Sequence, residues 1–240
     1  KTQQQGITML KRKLILALGL MAIALPLMAQ PEAGTFSIIP KVGVDITSVT
    51  GDHLYEYGNM GTYSLKGKYQ PGFTGGVEAM YQAMPRLAVS LGVMYAQEGS
   101  RHSDIELGQG EARVGINENN LAFDYLQVPV MAHVYVAKGL SLNAGVRLGF
   151  LLSASHEYDT VDITYDDISG TREYGESHSY DEDIKSFCKT TSISIPVGVS
   201  YEYMNVVLDA RYHFPLTKTF KETSGKHQGF TVTVGYKFDL

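Results

Sequence analysis

Among the 240 residues there is no tryptophan, a single cysteine, Cys188, and little charge, 19% of the chain. One thiol allows no disulfide within the chain, so no covalent staple holds the fold. The net charge of −5 offers none of the basic surface that nucleic acid selects, and no nucleic-acid partner is expected. The apolar run 14–25 has 12 residues, where a membrane-crossing helix needs about 20. That run follows Lys11, Arg12 and Lys13 and precedes Pro26 and "LMAQ". A basic segment, a short apolar segment and a small residue describe a secretory signal peptide. Residues 1–29 are read as that signal, with cleavage after Ala29, and residues 1–8 as an over-extension ahead of an initiator Met9. Residues 30–240 form the mature domain, and Cys188 lies too far from the cut to carry a lipid anchor.

Glycine (25) and tyrosine (16) are plentiful instead, a composition that suits strands and turns. The stretch "GLSLNAGVRLGFLLSA" (139–154) alternates. Leu140, Leu142, Ala144, Val146, Leu148, Phe150 and Leu152 share one side; Ser141, Asn143, Gly145, Arg147, Gly149 and Ser153 share the other, with Leu151 an apolar intruder. Side chains of a strand point alternately to opposite faces, so this is a strand with one apolar and one small, polar face. The same rhythm runs through "TFSIIPKVGVDITSV", "LAVSLGVMYAQEGS", "SISIPVGVSYEY" and "GFTVTVGYKFDL". Segments 69–81, 121–136 and 206–216 alternate less cleanly. The count is eight strands.

Tight turns at 82–86, 137–139 and 203–205 alternate with long connections at 50–68, 101–120, 156–188 and 217–228. Short turns at one end and long loops at the other predict an all-β, eight-stranded antiparallel up-and-down transmembrane β-barrel, with both termini on the periplasmic, short-turn side. Alternation does not say which face is inside, and a soluble ligand-binding barrel would bury the apolar one. Three features favour lipid outside. The polar set is rich in Gly, Ser and Ala, as a narrow lumen requires. Aromatics gather in two girdles, Phe36, Tyr81, Tyr201, Tyr203, Tyr236 and Phe238 toward the turns, and Phe73, Tyr95, Phe150, Tyr212, Phe214 and Phe230 toward the loops, as bilayer interfaces select. A closed sheet also leaves no unpaired edge in lipid. Arg147 then points into the lumen, with Lys41, Asp45, Glu78, Glu98, Asp209, Arg211 and Lys237 on the same set. Buried charges need partners, so a lumenal ion-pair network is expected, its pairings open.

"YLQVPVMAHVYV" (125–136), a tight turn and the strand bearing Gly145 and Gly149 resemble the PorT-type outer-membrane β-barrel domain family of Bacteroidetes, which includes small "porin family" barrels. Its members carry a Tyr-Leu-x-Ile/Val-Pro strand followed by a Gly-x-x-x-Gly strand. "GYKF", with Tyr236 and Phe238 on one face, resembles the aromatic C-terminal signal read by the barrel-assembly machinery, although the chain ends on Leu240 rather than an aromatic. The resemblance implies the barrel fold, the outer membrane of a Gram-negative bacterium and a link to type IX secretion.

An eight-stranded barrel is narrow enough to be filled by its own side chains, which argues against a general diffusion pore. His133 and His213 fall on the lumenal set near Ser141 and Asp209, the residue types of a membrane-embedded lipid hydrolase. Nothing positions a nucleophile, and hydrogen-bonded filling explains them equally. The segment 156–187 holds ten carboxylates and two basic residues. Asp159, Asp162, Asp166, Asp167, Asp181, Glu182 and Asp183 could ligate calcium, but EF-hand spacing is missing and a solvated loop accounts for the acidity. The expectation is no metal, no cofactor and no catalysis. The alternating Tyr and Ile of 156–188 could instead prolong two strands into a hairpin above the membrane, whose edge could pair with an envelope protein. The reading is therefore a structural or interaction component of the outer membrane; a small narrow channel, a lipid hydrolase and a soluble barrel are the alternatives.

Overall fold

A computed structural model of the chain describes residues 32–50, 53–56, 62–65, 67–109, 112–165, 171–222 and 224–240. The strands are β1 (Phe36–Thr50), β2 (His53–Glu56), β3 (Thr62–Leu65), β4 (Lys68–Met84), β5 (Leu87–Arg101), β6 (Ile105–Gln109), β7 (Ala112–Ala137), β8 (Leu140–Tyr165), β9 (Arg172–Asp183), β10 (Thr191–Tyr203), β11 (Val206–Pro215), β12 (Lys226–Tyr236) and β13 (Phe238–Asp239). One 3₁₀ turn, Lys185–Phe187, follows β9. The signal segment 1–29 and the cleavage point lie outside the described residues, as do Asp166 and Asp167.

Eight strands close a ring in the order β1, β4, β5, β7, β8, β10, β11, β12 and back to β1, every pair antiparallel. A closed ring satisfies each strand's backbone groups from both neighbours, which is what strands in hydrocarbon require. The short connections sit at 85–86, 138–139 and 204–205. In the last, Met204 and Asn205 both take positive φ, 47° and 68°, the primed-turn geometry whose twist matches a two-residue hairpin. Asn205 Nδ2 ties the turn to the Lys237 carbonyl at 2.9 Å, and the chain end meets this same rim, Leu240 N–H reaching the Phe36 carbonyl.

The alternation resolves with the apolar set outward. Val146 and Leu148 are 45% and 39% exposed while Arg147 between them is 6% exposed. A band of exposed Val, Leu and Ile running around the whole ring is a surface for lipid and not for water; the soluble-barrel alternative fails here, because it needs these residues inside. Girdle aromatics meet within their own belts: Phe36 with Tyr81 at 4.6 Å and Tyr236 with Phe238 at 4.7 Å on the turn side, Tyr212 with Phe214 at 4.6 Å and with Phe230 at 4.8 Å on the other.

Three sequence expectations need correction. The connection 101–120 is not a loop: β6 and the start of β7 pair as a hairpin from Ile105↔Ile116 to Gln109↔Ala112. Ile105, Leu107, Val114 and Ile116 carry a strand period that the polar run "NENN" hides, and Leu107 and Ile116 bury their side chains. The connection 50–68 likewise contains the two-stranded β2–β3 sheet. Ser153 does not face the lumen. Tyr125 pairs with Leu151 and Asp124 with Ser153, leaving Leu152 as a bulge. One extra residue inverts the facing of everything beyond it, so Ser153 turns outward, donating to Asp124 Oδ2 at 2.6 Å, and Ala154 inward.

Gly145 has a steric reason. A Cβ there would run into the Val130 carbonyl and stand 2.8 Å from Met131 Sδ, so the lumen at this level has room for Met131 or a side chain at 145, not both.

Candidate functional site

Two regions gather polar chemistry: the lumen and the sheet that rises past the long-strand rim.

The lumen is layered. Toward the short turns Ile39, Met80, Ala88, Tyr135 and Val207 form an apolar cluster. Beyond it Lys41 Nζ lies 2.8 Å from Glu78 and 3.1 Å from Asp209, while Arg211 reaches Asp209 at 2.5 Å and Glu78 at 3.1 Å. Each charge here touches at least two of the others. The register explains part of it: Lys41 pairs with Gly76 and Gly235, and a Cβ on Gly235 would stand 2.8 Å from Lys41 Cγ, so that glycine leaves the space the lysine crosses. The next layer joins Arg147 to Glu98 at 2.9 Å, with Ser194 accepting from Arg147 Nε at 2.9 Å and Gln127 donating to Glu98 at 2.8 Å. Above it Val49, Leu121, Phe123, Tyr125, Leu151, Ala154 and Cys188 close the lumen with a second apolar cluster. Leu151, the intruder in the polar set, belongs to this lid. Near the short-turn cluster a cavity of about 10 Å³, lined by Lys41, His133, Tyr135 and Ser141 among others, has room for about one water.

Six of the eight predicted lumenal charges thus join two contact sets, Lys41, Glu78, Asp209 and Arg211 in one and Glu98 with Arg147 in the other. Two stand apart. Asp45 takes a hydrogen bond from Thr231, whose Oγ1 is 2.7 Å from His213. Lys237 lies at the turn end, 3.2 Å from Glu202 and 3.8 Å from Asp239. Glu202 and His227, the latter 3.6 Å from Glu98 and 4.5 Å from the Phe123 ring, escaped the sequence reading. Glu202 sat visibly on the polar set; His227 lay in what read as a loop.

The histidines are set differently from a hydrolase. His133 Nε2 is 2.9 Å from Ser90 Oγ and 3.5 Å from Glu78, and Ser90 donates to the same carboxylate at 2.6 Å. A nucleophile–base–acid relay needs the acid on the other ring nitrogen, Nδ1. Here serine and carboxylate crowd one nitrogen, inside a closed lumen, and His213 and Ser141 belong to other clusters.

The second region continues the barrel. The upper halves of β7 and β8 stay paired from Ala122↔Ser155 to Ala112↔Thr164, flanked by β6 on one side and β9 on the other. From Ser155 to Tyr165 β8 climbs roughly 30 Å at about 3.3 Å per residue. At its base His156 Nε2 is 2.9 Å from Asn119 Oδ1, and burial lowers its pKa, with Glu182 pulling weakly the other way. Tyr158 stacks on Tyr180 at 5.2 Å and donates to Glu182 at 2.9 Å. At the tip Glu106 of β6 is 2.9 Å from Arg113 of β7 and 3.1 Å from Arg172 of β9. Both guanidiniums lie over Tyr165 of β8, at 4.6 and 5.8 Å from its ring centre. One carboxylate and one ring therefore link all four strands. The hydrogen bond from Arg113, helped by the charge of Arg172, holds the Glu106 carboxyl below its ordinary pKa.

Of the predicted acidic set, Asp159 pairs across from Ser179, Asp162 from Val114, Asp181 from Glu157, Glu182 from His156 and Asp183 from Ser155. Strand alternation sends neighbours such as Glu182 and Asp183 to opposite faces. Among the described residues no three carboxylate, imidazole or thiol groups gather as a metal site. Tyr236 and Phe238 lie side by side on the outer surface at the seam, where β13 pairs with Ser37 and Ile38 of β1.

A family model described as "Outer membrane protein beta-barrel domain" matches residues 28–221. No curated protein matches the chain. Solved structures similar to it include Ail, the attachment invasion locus protein of Yersinia pestis, with 15% identity and a TM-score of 0.40 over 86% of this chain and 100% of that one. Neisserial surface protein A shows 13% identity and a TM-score of 0.41 over 85% and 97% of the two chains. OprG of Pseudomonas aeruginosa shows 11% and 0.33 over 89% and 99%.

Proposed function

The chain belongs to the outer membrane protein β-barrel domain family, and from that premise we propose that it is a non-catalytic structural or interaction component of the outer membrane that works through its projecting sheet. The observation carrying this reading is the contrast between a lumen closed by stacked apolar and ionic layers and a four-stranded sheet in which β7 and β8 run on beyond the aromatic girdle with β6 and β9 added at their edges. A plugged barrel offers solutes no path, and a rigid sheet with two open edges offers main-chain donors and acceptors to a partner strand. The long-strand end faces out of the cell and both termini face the periplasm, the arrangement usual for barrels with short turns at one end. Tyr236 and Phe238, exposed at the closing seam, are the residues the barrel-assembly machinery reads. The PorT-type motif supports a Bacteroidetes envelope setting, and the acidity of 156–188, with Asp159, Asp162, Asp181, Glu182 and Asp183 spread over both faces of the hairpin, would select a basic partner segment.

The test is co-purification of tagged protein from outer membranes in detergent. Wild type is compared with a chain in which 158–180 is replaced by Asn-Gly, a two-residue turn that joins the paired Glu157 and Asp181 with hairpin geometry. An envelope protein recovered with wild type and lost from the shortened chain is the expected result. A lone barrel in both samples, or steady single-channel conductance of the wild type in planar bilayers, would overturn the reading.

A further inference from the structure

At the long-strand rim two segments cross at the edge of the barrel wall, with Cys188 and Phe220 turned in toward the apolar lid of the lumen: the turn after β9 and the connection from β11 to β12. They are locked by backbone contacts, Lys189 N–H to the Thr219 carbonyl at 2.8 Å and Lys221 N–H to the Phe187 carbonyl at 3.1 Å, beside the Cys188↔Phe220 bridge. The crossing brings Lys185, Lys189 and Lys221 together, all exposed, around Phe187, which is 67% exposed. A phenylalanine this uncovered in water has no apolar partner to meet. Its position supplies one: the segments leave the lipid-facing band at Ile193 and Leu216, which are joined by the Leu216 N–H bond to the Ile193 carbonyl at 2.9 Å. Lys185 Nζ donates at 2.6 Å to the carbonyl of Leu152, itself a lipid-facing residue of the outer band. Lys221 Nζ donates at 2.6 Å to the Ser186 carbonyl.

None of the three lysines joins an ion pair among the described residues. The carboxylates at hand are Asp183, whose Oδ1 accepts the Lys185 backbone N–H at 2.8 Å, and Glu222, next to Lys221 in the chain. An ammonium has three donors, and Lys185 and Lys221 each spend one on a carbonyl, leaving two aimed elsewhere. Cations at the edge of an apolar band, with an aromatic among them, match the depth at which headgroup phosphate lies over acyl chains.

We propose that Lys185, Lys189 and Lys221, arranged around Phe187, form a seat for the phosphate of a membrane lipid headgroup, with Phe187 entering the boundary between headgroups and acyl chains. The ammonium groups supply charge and hydrogen bonds; the ring supplies the lipid specificity that a free phosphate would not need.

The test uses the full, folded chain in zwitterionic micelles, with phosphatidic acid and phosphatidylcholine as competing probes and native mass spectrometry as readout. Four proteins are compared: wild type, the Lys185→Gln/Lys189→Gln/Lys221→Gln variant, a control of equal charge change elsewhere on the rim (Lys68→Gln/Arg101→Gln/Lys226→Gln), and Phe187→Ser. Wild type is expected to retain phosphatidic acid over phosphatidylcholine, and the patch variant to lose at least about tenfold in apparent affinity, given about fivefold per basic side chain at an anionic surface. The control should lose less than about twofold, because its cations are not gathered around an inserted aromatic. Phe187→Ser should weaken lipid retention while leaving any effect of inorganic phosphate on thermal unfolding unchanged. In wild type, raising salt from about 0.1 to 1 M shortens screening from about 10 to 3 Å and must release the lipid, a readout that survives if a variant does not fold. Equal retention by wild type and patch variant, equal losses in patch and control variants, or salt-insensitive retention would each overturn the proposal; a loss confined to inorganic phosphate would reassign the seat to a free anion. Neither readout depends on which side of the membrane the rim faces, so its failure is separable from failure of the orientation proposed above.

Discussion

The lumenal layer and the projecting tip use the same chemistry, two cations around a carboxylate, under opposite solvation. Glu78 bridges Lys41 and Arg211, and the side chains of Lys41 and Glu78 are 2% and 1% exposed. Glu106 bridges Arg113 and Arg172, and those of Arg172 and Glu106 are 46% and 29% exposed. In the lumen every charge has lost its water, so each partner is obligatory and removing one strands the rest. At the tip water replaces whatever is removed, and the pairs set the geometry of four strand ends more than they add stability. Position in the fold, and not the identity of the charges, decides what the pair is worth.

The largest expected effect is from Glu78→Ala. It leaves Lys41 and Arg211 buried beside one remaining carboxylate, Asp209, and strips Ser90 and His133 of their acceptor. A loss of roughly 3–5 kcal/mol in reversible denaturant unfolding in lipid is expected; a loss indistinguishable from that of a surface substitution would mean the layer is not sealed from water. Arg147→Glu comes next, since it sets a second carboxylate against Glu98 and leaves the Ser194 hydroxyl without its donor. Failure to refold, or a midpoint shifted well below that of Arg147→Met, is the outcome to look for. Wild-type stability in the reversed variant would contradict the lumenal placement.

Acid should act on the boundary between the two regions. Burial depresses the His156 pKa below its ordinary 6.5, so folding favours the neutral ring. That contribution is fully present above 6.5 and is lost as the pH falls below it, because the unfolded chain then takes up the proton more readily. Protection of amides at the base of the β8–β9 hairpin, after division by the intrinsic exchange rate at each pH, should therefore fall between neutral and mildly acidic pH, and His156→Gln should flatten the profile. The smallest effect belongs to Glu106→Gln. Global unfolding should not move, while exchange at the β6 and β9 ends of the tip should rise. A clear shift in global stability would show that the tip is more strongly coupled to the barrel than exposed pairs allow.

The β8 segment shows how much was legible. Its period of two required no tertiary information, since the backbone geometry of any strand imposes it, and eight such segments with alternating short and long connections point to the ring. The lumenal acids and bases were legible as a set for the same reason. Their pairing was not. Lys41 meets Asp209 because β1 and β11 lie on opposite sides of β12, 168 positions apart in the chain. The hairpin at 101–120 was hidden by a run of asparagines and a glutamate, which read as loop until the pairing with β8 supplied the neighbours that make it a sheet.

The amino-acid sequence by itself determined the alternation, the number of strands in the ring and the end at which the turns are short, because these follow from local side-chain periodicity and turn chemistry. The tertiary structure alone decided three things. The first is the bulge at Leu152, which inverts the facing of Ser153. The second is the sorting of the lumen into ionic and apolar layers. The third is the gathering of Lys185, Lys189 and Lys221 around one exposed phenylalanine. Each depends on which strands and crossing segments become neighbours when the ring closes, and contacts across a closed sheet join residues whose separation along the chain carries no local signal.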